Sequence, residues 1–278
     1  SAVIARNMVA ASQPLAVQAG LKMFHMGGNA VDAALATAIT LTLVEPTGCG
    51  LGSDAFAIIW DGTQLHGLNA SGRSPSNWSY ERFKKHGDIP FRGWESVTVP
   101  GAVGGWAEVS RKFGKLAFET LFEAAITYSY DGFPVSPVIA QLWAKGAVEL
   151  KDQPGFVRNF LPKGKAPEAG EIYTNPALAK TYERIAETKG RAFYEGDLAE
   201  RIEDFARQHD AALRISDLAH FKPEWCGTLK NDFDYFDLHE IPPNGQGIAA
   251  LVALGILKHT AIRDLDADDS MALHLQIE

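Results

Sequence analysis

The spacing of apolar residues predicts a chain in which helices alternate with short strands. The first helix is predicted after an N-cap at Ser12, with Pro14 in its first turn. Gly27-Gly28 is expected to end it, since glycine is common just past a helix C-terminus. Between these signals the apolar positions recur every three or four residues, at Leu15, Ala19, Met23 and Met26.

A second helix is predicted to begin directly afterwards, at an N-cap formed by Asn29. Asp32 stands at its third position, where a carboxylate is favoured by the positive end of the helix dipole. Because its small residues cover nearly every face, this helix is expected to be buried. These residues are Ala30, Ala33, Ala34, Ala36, Ala38 and Ile39.

Two later patterns predict strands. The apolar run at 55–60 predicts a buried strand, and Asp61-Gly62 predicts a hairpin that returns over residues 63–69. Residues 230–241 alternate aromatic and polar side chains, which fits a strand pair or one long strand. A loop at 242–247 and a helix over 248–259 follow. Further helices are predicted at 104–113, 117–130, 137–150, 176–188 and 197–209.

The last predicted helix starts at Asp269-Ser270 and is still in its apolar pattern at Glu278. We therefore expect the natural polypeptide to be longer than these 278 residues. The chain shows no internal repeat and no low-complexity linker, and we expect a single domain over residues 1–278.

Charge and composition exclude two classes of partner. The net charge is −8, from 34 acidic against 26 basic residues, which argues against binding to nucleic acid. The longest apolar stretch, at 33–44, is shorter than the roughly 20 residues that span a bilayer. The compartment stays open between the cytoplasm and, after removal of a signal peptide, the periplasm or the exterior.

The glycines at 48, 50 and 52 resemble a nucleotide-binding loop only superficially. A dinucleotide site needs a strand before the glycines and a helix after them, and here the predicted order is reversed. We interpret the run as a tight helix-to-strand turn in which glycine permits positive φ and close backbone approach.

Other catalytic signatures are missing from the sequence. Its eight histidines form no H-E-x-x-H motif, so we expect no metal and no cofactor. Cys49 and Cys226 are predicted to be reduced thiols, with a disulfide left open until their geometry is known. Ser1 is disfavoured as an N-terminal nucleophile because no hydroxyl-rich sequence follows it.

Arg73 is the side chain most suggestive of ligand binding. It lies in a predicted loop just past the second strand of the hairpin. A guanidinium group suits bidentate capture of a carboxylate, which makes Arg73 a candidate substrate-binding residue. The alternative is a surface arginine without a ligand.

Several blocks, in order, resemble the large N-terminal subunit of the gamma-glutamyltranspeptidase family. The resemblance runs from Met8 to Glu278, and its most specific block is GGNAVDAA at 27–34. The other blocks are MVAAS at 8–12, VPGAVGGW at 99–106, RKFGKL at 111–116, GRAFYEG at 190–196 and PPNGQG at 242–247.

This resemblance implies an N-terminal-nucleophile hydrolase with an α/β fold, a four-layer αββα sandwich completed by a small subunit. Members of the family cut themselves, and the new N-terminal threonine of the small subunit attacks a gamma-glutamyl or similar amide. The resemblance therefore implies a heterodimer, or a dimer of heterodimers, with a small acidic amide as substrate. It places no catalytic residue within this chain.

Two departures from the transpeptidase pattern affect the expected substrate. Transpeptidases carry a Phe-Arg-Glu-x-x-Pro string whose arginine binds the substrate α-carboxylate, and alignment on Pro75 puts Ser71 in its place. Arg73 follows two residues later, a shift of about 6.6 Å along an extended segment. Ser53-Asp54 replaces glycines, and the loop at 242–247 replaces a serine-glycine loop.

These departures resemble the acylase-like branch of the family. The expected activities are hydrolysis or transfer of gamma-glutamyl groups, cephalosporin (glutaryl) acylase activity, or oxamate amidohydrolase activity. A catalytically inactive binding or structural relative is the alternative of another class.

Overall fold

A computed structural model describes residues 4–84 and 87–278, so Ser1 lies outside the described residues. Contacts between residues divide the chain into two compact units. Unit 1 comprises Ser1–Asp54 and Ser71–Lys222, and unit 2 comprises Ala55–Ala70 and Pro223–Glu278. The expectation of one domain over residues 1–278 stays a prediction.

Helices and strands alternate along the part of the chain that the structure describes. The helices are α1 (Pro14–His25), α2 (Ala30–Val44), α3 (Tyr80–Lys84), α4 (Ala102–Phe113), α5 (Glu123–Asp131), α6 (Pro137–Leu150), α7 (Phe156–Phe160), α8 (Pro176–Glu187), α9 (Arg191–Glu195), α10 (Asp197–Gln208), α11 (Ile215–Ala219), α12 (Gly247–Leu257) and α13 (Ser270–Ile277). The strands are β1 (Ala55–Trp60), β2 (Leu65–Ala70), β3 (Phe133–Pro134), β4 (Ile172–Tyr173), β5 (Glu224–Trp225), β6 (Leu229–Phe233) and β7 (Phe236–Glu240). Short 3-10 helices occupy Trp94–Ser96, Phe118–Phe122 and Ala261–Asp264.

The first helix begins one residue later than the sequence predicts. Its N-cap is Gln13, whose side chain makes no cap hydrogen bond, and Pro14 is its first residue. The Ser12 hydroxyl donates instead to the carboxylate of Glu45, so the prediction of Ser12 as N-cap is wrong. The helix ends before Gly27, whose φ of +84° confirms the predicted glycine terminus.

A capping box starts α2, as the sequence predicts. The Asn29 side chain accepts hydrogen bonds from Val31 and Asp32, and the Asp32 carboxylate accepts the Asn29 N–H at 2.8 Å. Asp32 is fully buried and also accepts the N–H groups of Lys115 and Leu116, at 3.1 and 3.3 Å. Its carboxyl group therefore links the start of α2 to the segment after α4, and both of its buried oxygens accept hydrogen bonds.

Most of α2 is buried, and its threonines are satisfied within the helix. The hydroxyls of Thr37, Thr40 and Thr42 each donate to a backbone carbonyl at 2.7 Å, as threonine can within a helix. One face departs from the expectation of burial on every side. A groove of about 370 Å³ runs between that face and residues 8–12; the helix lines it with Ala30, Ala33, Ala34, Thr37, Ala38 and Leu41.

The glycine run between α2 and β1 has the predicted helix-to-strand order but not the predicted conformation. None of Gly48, Gly50 and Gly52 has a positive φ. A Cβ atom on Gly52 would meet nothing within 4 Å, and one on Gly50 only atoms at 3.9 Å. Contacts with the described residues therefore do not require glycine at 50 and 52, and that part of the prediction is wrong.

Unit 2 contains an antiparallel sheet in the order β1-β2-β5. The predicted hairpin is confirmed: the Asp61 carboxylate accepts the N–H groups of Thr63 and Gln64, and Gly62 takes a φ of +101°. Burial of β1 is not confirmed, because its residues alternate between half-buried and exposed. Phe56, Ile58 and Trp60 are 46%, 41% and 61% exposed on one face of the sheet.

The second part of unit 2 is a strand pair with a helix packed on it. The strands β6 and β7 form an antiparallel hairpin, which decides between the two arrangements that the sequence left open. Asn231 of β6 donates its side-chain N–H to the Leu251 carbonyl of α12 at 2.7 Å. No charged or polar side chain occurs in α12, yet Ile248, Val252 and Ile256 are 41%, 54% and 62% exposed.

Both cysteines, Cys49 and Cys226, are free thiols, as predicted. Within residues 4–84 and 87–278, no helix has the length and apolar character needed to cross a membrane.

Candidate substrate-binding site

Arg73 lies in an irregular segment of unit 1 and is exposed. Its backbone is fixed, because its carbonyl accepts the Val99 N–H at 3.0 Å. Among the residues that the structure describes, none makes a hydrogen bond or ion pair with its guanidinium group. A fixed backbone and an unpaired cation are the properties that a carboxylate-binding residue needs.

Gly72 holds this segment unusually close to its neighbour. A Cβ atom on Gly72 would lie 1.5 Å from the Val99 carbonyl oxygen, so only glycine fits here. The Gly72 N–H donates to the Asp54 carboxylate at 3.2 Å. We call these four residues, Asp54, Gly72, Arg73 and Val99, the Gly72 clasp.

A second set of hydrogen bonds anchors the clasp to the start of α4. The carbonyl of Ser53 accepts the N–H groups of Gly101 and Ala102, at 3.1 and 2.9 Å. These bonds satisfy donors at the N-terminus of α4 and hold the chain next to Asp54 in place.

Tyr194 fixes the same loop from the other side. Its hydroxyl donates to the Pro100 carbonyl at 2.9 Å and accepts the Gly104 N–H at 2.8 Å. Its ring stacks on Phe221 with centroids 5.2 Å apart. Burial raises the pKa of Tyr194 far above its usual value, because water is displaced from the phenol.

Asp54 contacts the backbone of the segment that carries Arg73. Surrounding protein displaces water from the carboxyl and raises the pKa of Asp54, while the Gly72 N–H partly offsets that rise. The residue still keeps an exposed surface. In the sequence, Asp54 was noted only because it replaces a glycine of the transpeptidase pattern, and the contacts of Gly72 and Tyr194 with this segment were missed. The sequence features that pointed to this region were Ser53-Asp54 and the family block at 190–196, which contains Tyr194.

The described residues contain no complete catalytic constellation. One hydroxyl–imidazole pair exists, between Thr228 and His239 at 3.0 Å in unit 2. No described carboxylate contacts the other ring nitrogen of His239, so the third member of a triad is missing from that pair.

Comparison with known proteins identifies the family. A family model described as gamma-glutamyltranspeptidase matches residues 16–278. This chain belongs to the gamma-glutamyltranspeptidase family. The predicted membership is thus confirmed, and the match includes every residue of the Gly72 clasp.

Individual relatives carry several activities in their names. The glutathione hydrolase-like YwrD proenzyme of Bacillus subtilis is 34% identical over all of this chain and 54% of the relative. The oxamate amidohydrolase proenzyme of Klebsiella pneumoniae is 33% identical, with the same coverage. The chain thus spans about half the length of the curated relatives it matches.

A solved structure confirms the α/β fold class. The cephalosporin acylase from Bacillus halodurans superimposes with a TM-score of 0.93 and 41% sequence identity. The match covers all of this chain and 54% of the acylase chain.

Gly72→Ala tests the close contact in the clasp. The added Cβ would overlap the Val99 carbonyl oxygen, and overpacking of this kind costs about 1–3 kcal/mol. We expect a lower midpoint of urea unfolding and weaker binding of acidic ligands. Gly52→Ala is the matched control, since its Cβ would enter open space. Equal behaviour of the two variants would show that the contact carries no strain.

Proposed function

We propose that this chain is the substrate-recognising part of an amide hydrolase or acyltransferase that acts on acidic acyl amides, with gamma-glutamyl compounds first. The observation that carries the proposal is Arg73, an exposed and unpaired guanidinium on a fixed backbone. Membership of the family and the names of the relatives support the reaction class.

The reaction follows from the family resemblance. The hydroxyl of an N-terminal threonine in the C-terminal part attacks the amide carbonyl, and the α-amino group of that threonine takes the proton. The amine leaves with that proton, and an ester joins the acyl group to the threonine. Water then cleaves the ester and restores the hydroxyl, or an acceptor amine takes the acyl group. Arg73 holds the acid end of the substrate throughout.

A glutaryl acylase or an oxamate amidohydrolase is the second candidate. Ser71 stands where transpeptidases place their carboxylate-binding arginine, which favours a substrate whose carboxylate lies elsewhere. The acylase and the oxamate amidohydrolase among the relatives agree with that choice. An inactive binding relative would lack the threonine at the start of the C-terminal part and would stay uncut.

Unit 2 provides the surface for the C-terminal part of the precursor in this proposal. The helix α12 is apolar on every side, and such a helix is normally buried. The exposed stripe of Ile248, Val252 and Ile256 would therefore be covered by the small subunit. The missing half of the relatives' length supplies a partner of sufficient size.

Val252→Asp tests this surface in the full-length precursor. A buried, unpaired carboxylate is costly, so we expect less soluble heterodimer and less self-cleavage. The control is Val148→Asp, on a side chain of α6 that is 74% exposed. Heterodimer yields are compared by size-exclusion chromatography and denaturing gels. Equal yields for both variants would place the partner elsewhere.

The activity itself is tested with a gamma-glutamyl anilide, a glutaryl amide and oxamate on the processed full-length protein. Release from at least one compound is expected. If none reacts although two bands confirm processing, the enzymatic proposal is wrong.

Arg73→Ala tests, in the same assay, whether the guanidinium of Arg73 binds the substrate. Loss of a hydrogen bond to a charged group costs about 1.5–3 kcal/mol, which predicts a rise in KM of about ten- to a hundredfold. Self-cleavage should stay intact. Arg73→Lys should recover part of the loss, since lysine keeps the charge but not the bidentate geometry. Arg158→Ala, at an exposed position of α7, is the control. An unchanged KM would show that Arg73 is a surface residue that does not bind the substrate.

A further inference from the structure

The loop that joins β7 to α12 contains an exposed asparagine, Asn244, followed directly by Gly245. No step of the proposed function uses these two residues. Gly245 lies in open space, because a Cβ atom placed on it would meet nothing within 4 Å beyond its chain neighbours. An asparagine followed by glycine is chemically reactive, since no second side chain keeps the next backbone nitrogen away from the asparagine side chain.

A second asparagine contacts the side-chain carbonyl of Asn244. Asn69 of β2 donates an amide N–H to the Asn244 Oδ1 at 2.8 Å, and both residues belong to unit 2. A donor at this position polarises the carbonyl and stabilises the negative charge that forms on its oxygen when a nucleophile attacks the carbon. Asn69 therefore activates the Asn244 carbonyl toward attack.

The backbone nitrogen of Gly245 is the nucleophile that the chain itself supplies. Residues 243–244 form a turn, yet the Gly245 N–H makes no hydrogen bond of normal geometry with a described residue. The N–H of Gly132, which follows Asp131, offers a contrast because it donates to the Tyr128 carbonyl at 3.0 Å. The Gly245 N–H has no such acceptor to hold its proton and its nitrogen in place.

We propose that Asn244 is a site of spontaneous deamidation that Asn69 promotes. The Gly245 nitrogen loses its proton and forms a bond to the Asn244 Cγ, while the bond from Cγ to Nδ2 breaks and the amide nitrogen leaves, with a proton, as ammonia. Water then opens the cyclic imide at either of its carbonyls, which yields aspartate or isoaspartate. This chemistry needs only water and the described loop, so it stands or falls independently of the proposed function.

Either product changes the connection between the sheet and α12. Aspartate places a new carboxylate beside Asn69, whose partner in β5 is the acidic Glu224. In isoaspartate the main chain passes through the side-chain carbon, so it becomes longer just ahead of Gly247, the first residue of α12. The modification therefore acts where the orientation of α12 is set.

The test is incubation of the full-length protein at mildly alkaline pH, followed by peptide mapping with mass spectrometry and an isoaspartate assay. Asn244 should be converted faster than Asn77, an exposed asparagine in a turn that is followed by Trp78 and serves as the internal control. Gly245→Ala should lose most of this excess rate. Its φ is not positive and its Cβ has room, so this variant is expected to fold.

Asn69→Ala tests the activating hydrogen bond. Conversion of Asn244 should become about two- to tenfold slower, the factor that corresponds to the net strength of one hydrogen bond. Asn69→Asp keeps the size of the side chain but removes its N–H donor, and it should also slow the reaction. Rates are compared at a temperature at which circular dichroism shows every variant folded.

Two results would overturn the inference. Conversion of Asn244 no faster than that of Asn77 would show that the loop is not a deamidation site. An unchanged or faster rate in both variants of Asn69 would show that this residue restrains the loop and does not promote the reaction.

Discussion

The candidate site depends on the contact between Gly72 and the Val99 carbonyl. Two backbone segments approach so closely that a single Cβ atom would overlap at 1.5 Å, and this closeness lets the Val99 N–H reach the carbonyl of Arg73. The same geometry turns the Gly72 N–H toward Asp54. The backbone of Arg73 is therefore held by a main-chain hydrogen bond, and the Asp54 carboxylate accepts the Gly72 N–H.

Features set by neighbouring residues were predictable from the sequence, whereas features set by distant contacts were not. The capping box at Asn29 and the hairpin at Asp61 depend on a few adjacent residues, and both are present. Gly72 is required because its backbone approaches the Val99 carbonyl, which is distant in sequence. Tyr194 likewise contacts a loop that is far away along the chain. Arg73 was identifiable because a guanidinium in a loop is conspicuous, although its substrate role stays a prediction.

The exposed apolar surfaces of unit 2 have a common physical origin. An apolar run indicates that a strand will be covered, but not by which polypeptide. In this chain β1 leaves Phe56, Ile58 and Trp60 exposed, and α12 shows the same excess of apolar surface. Under the proposed function, both apolar surfaces belong to contacts with the other half of the precursor.

The central claim is that Arg73 of this chain binds the acidic end of the substrate. A crystal structure of the processed full-length protein with bound glutamate tests it most directly. We expect a carboxylate of the ligand on the Arg73 guanidinium. A glutamate bound elsewhere, with Arg73 directed into solvent, would contradict it.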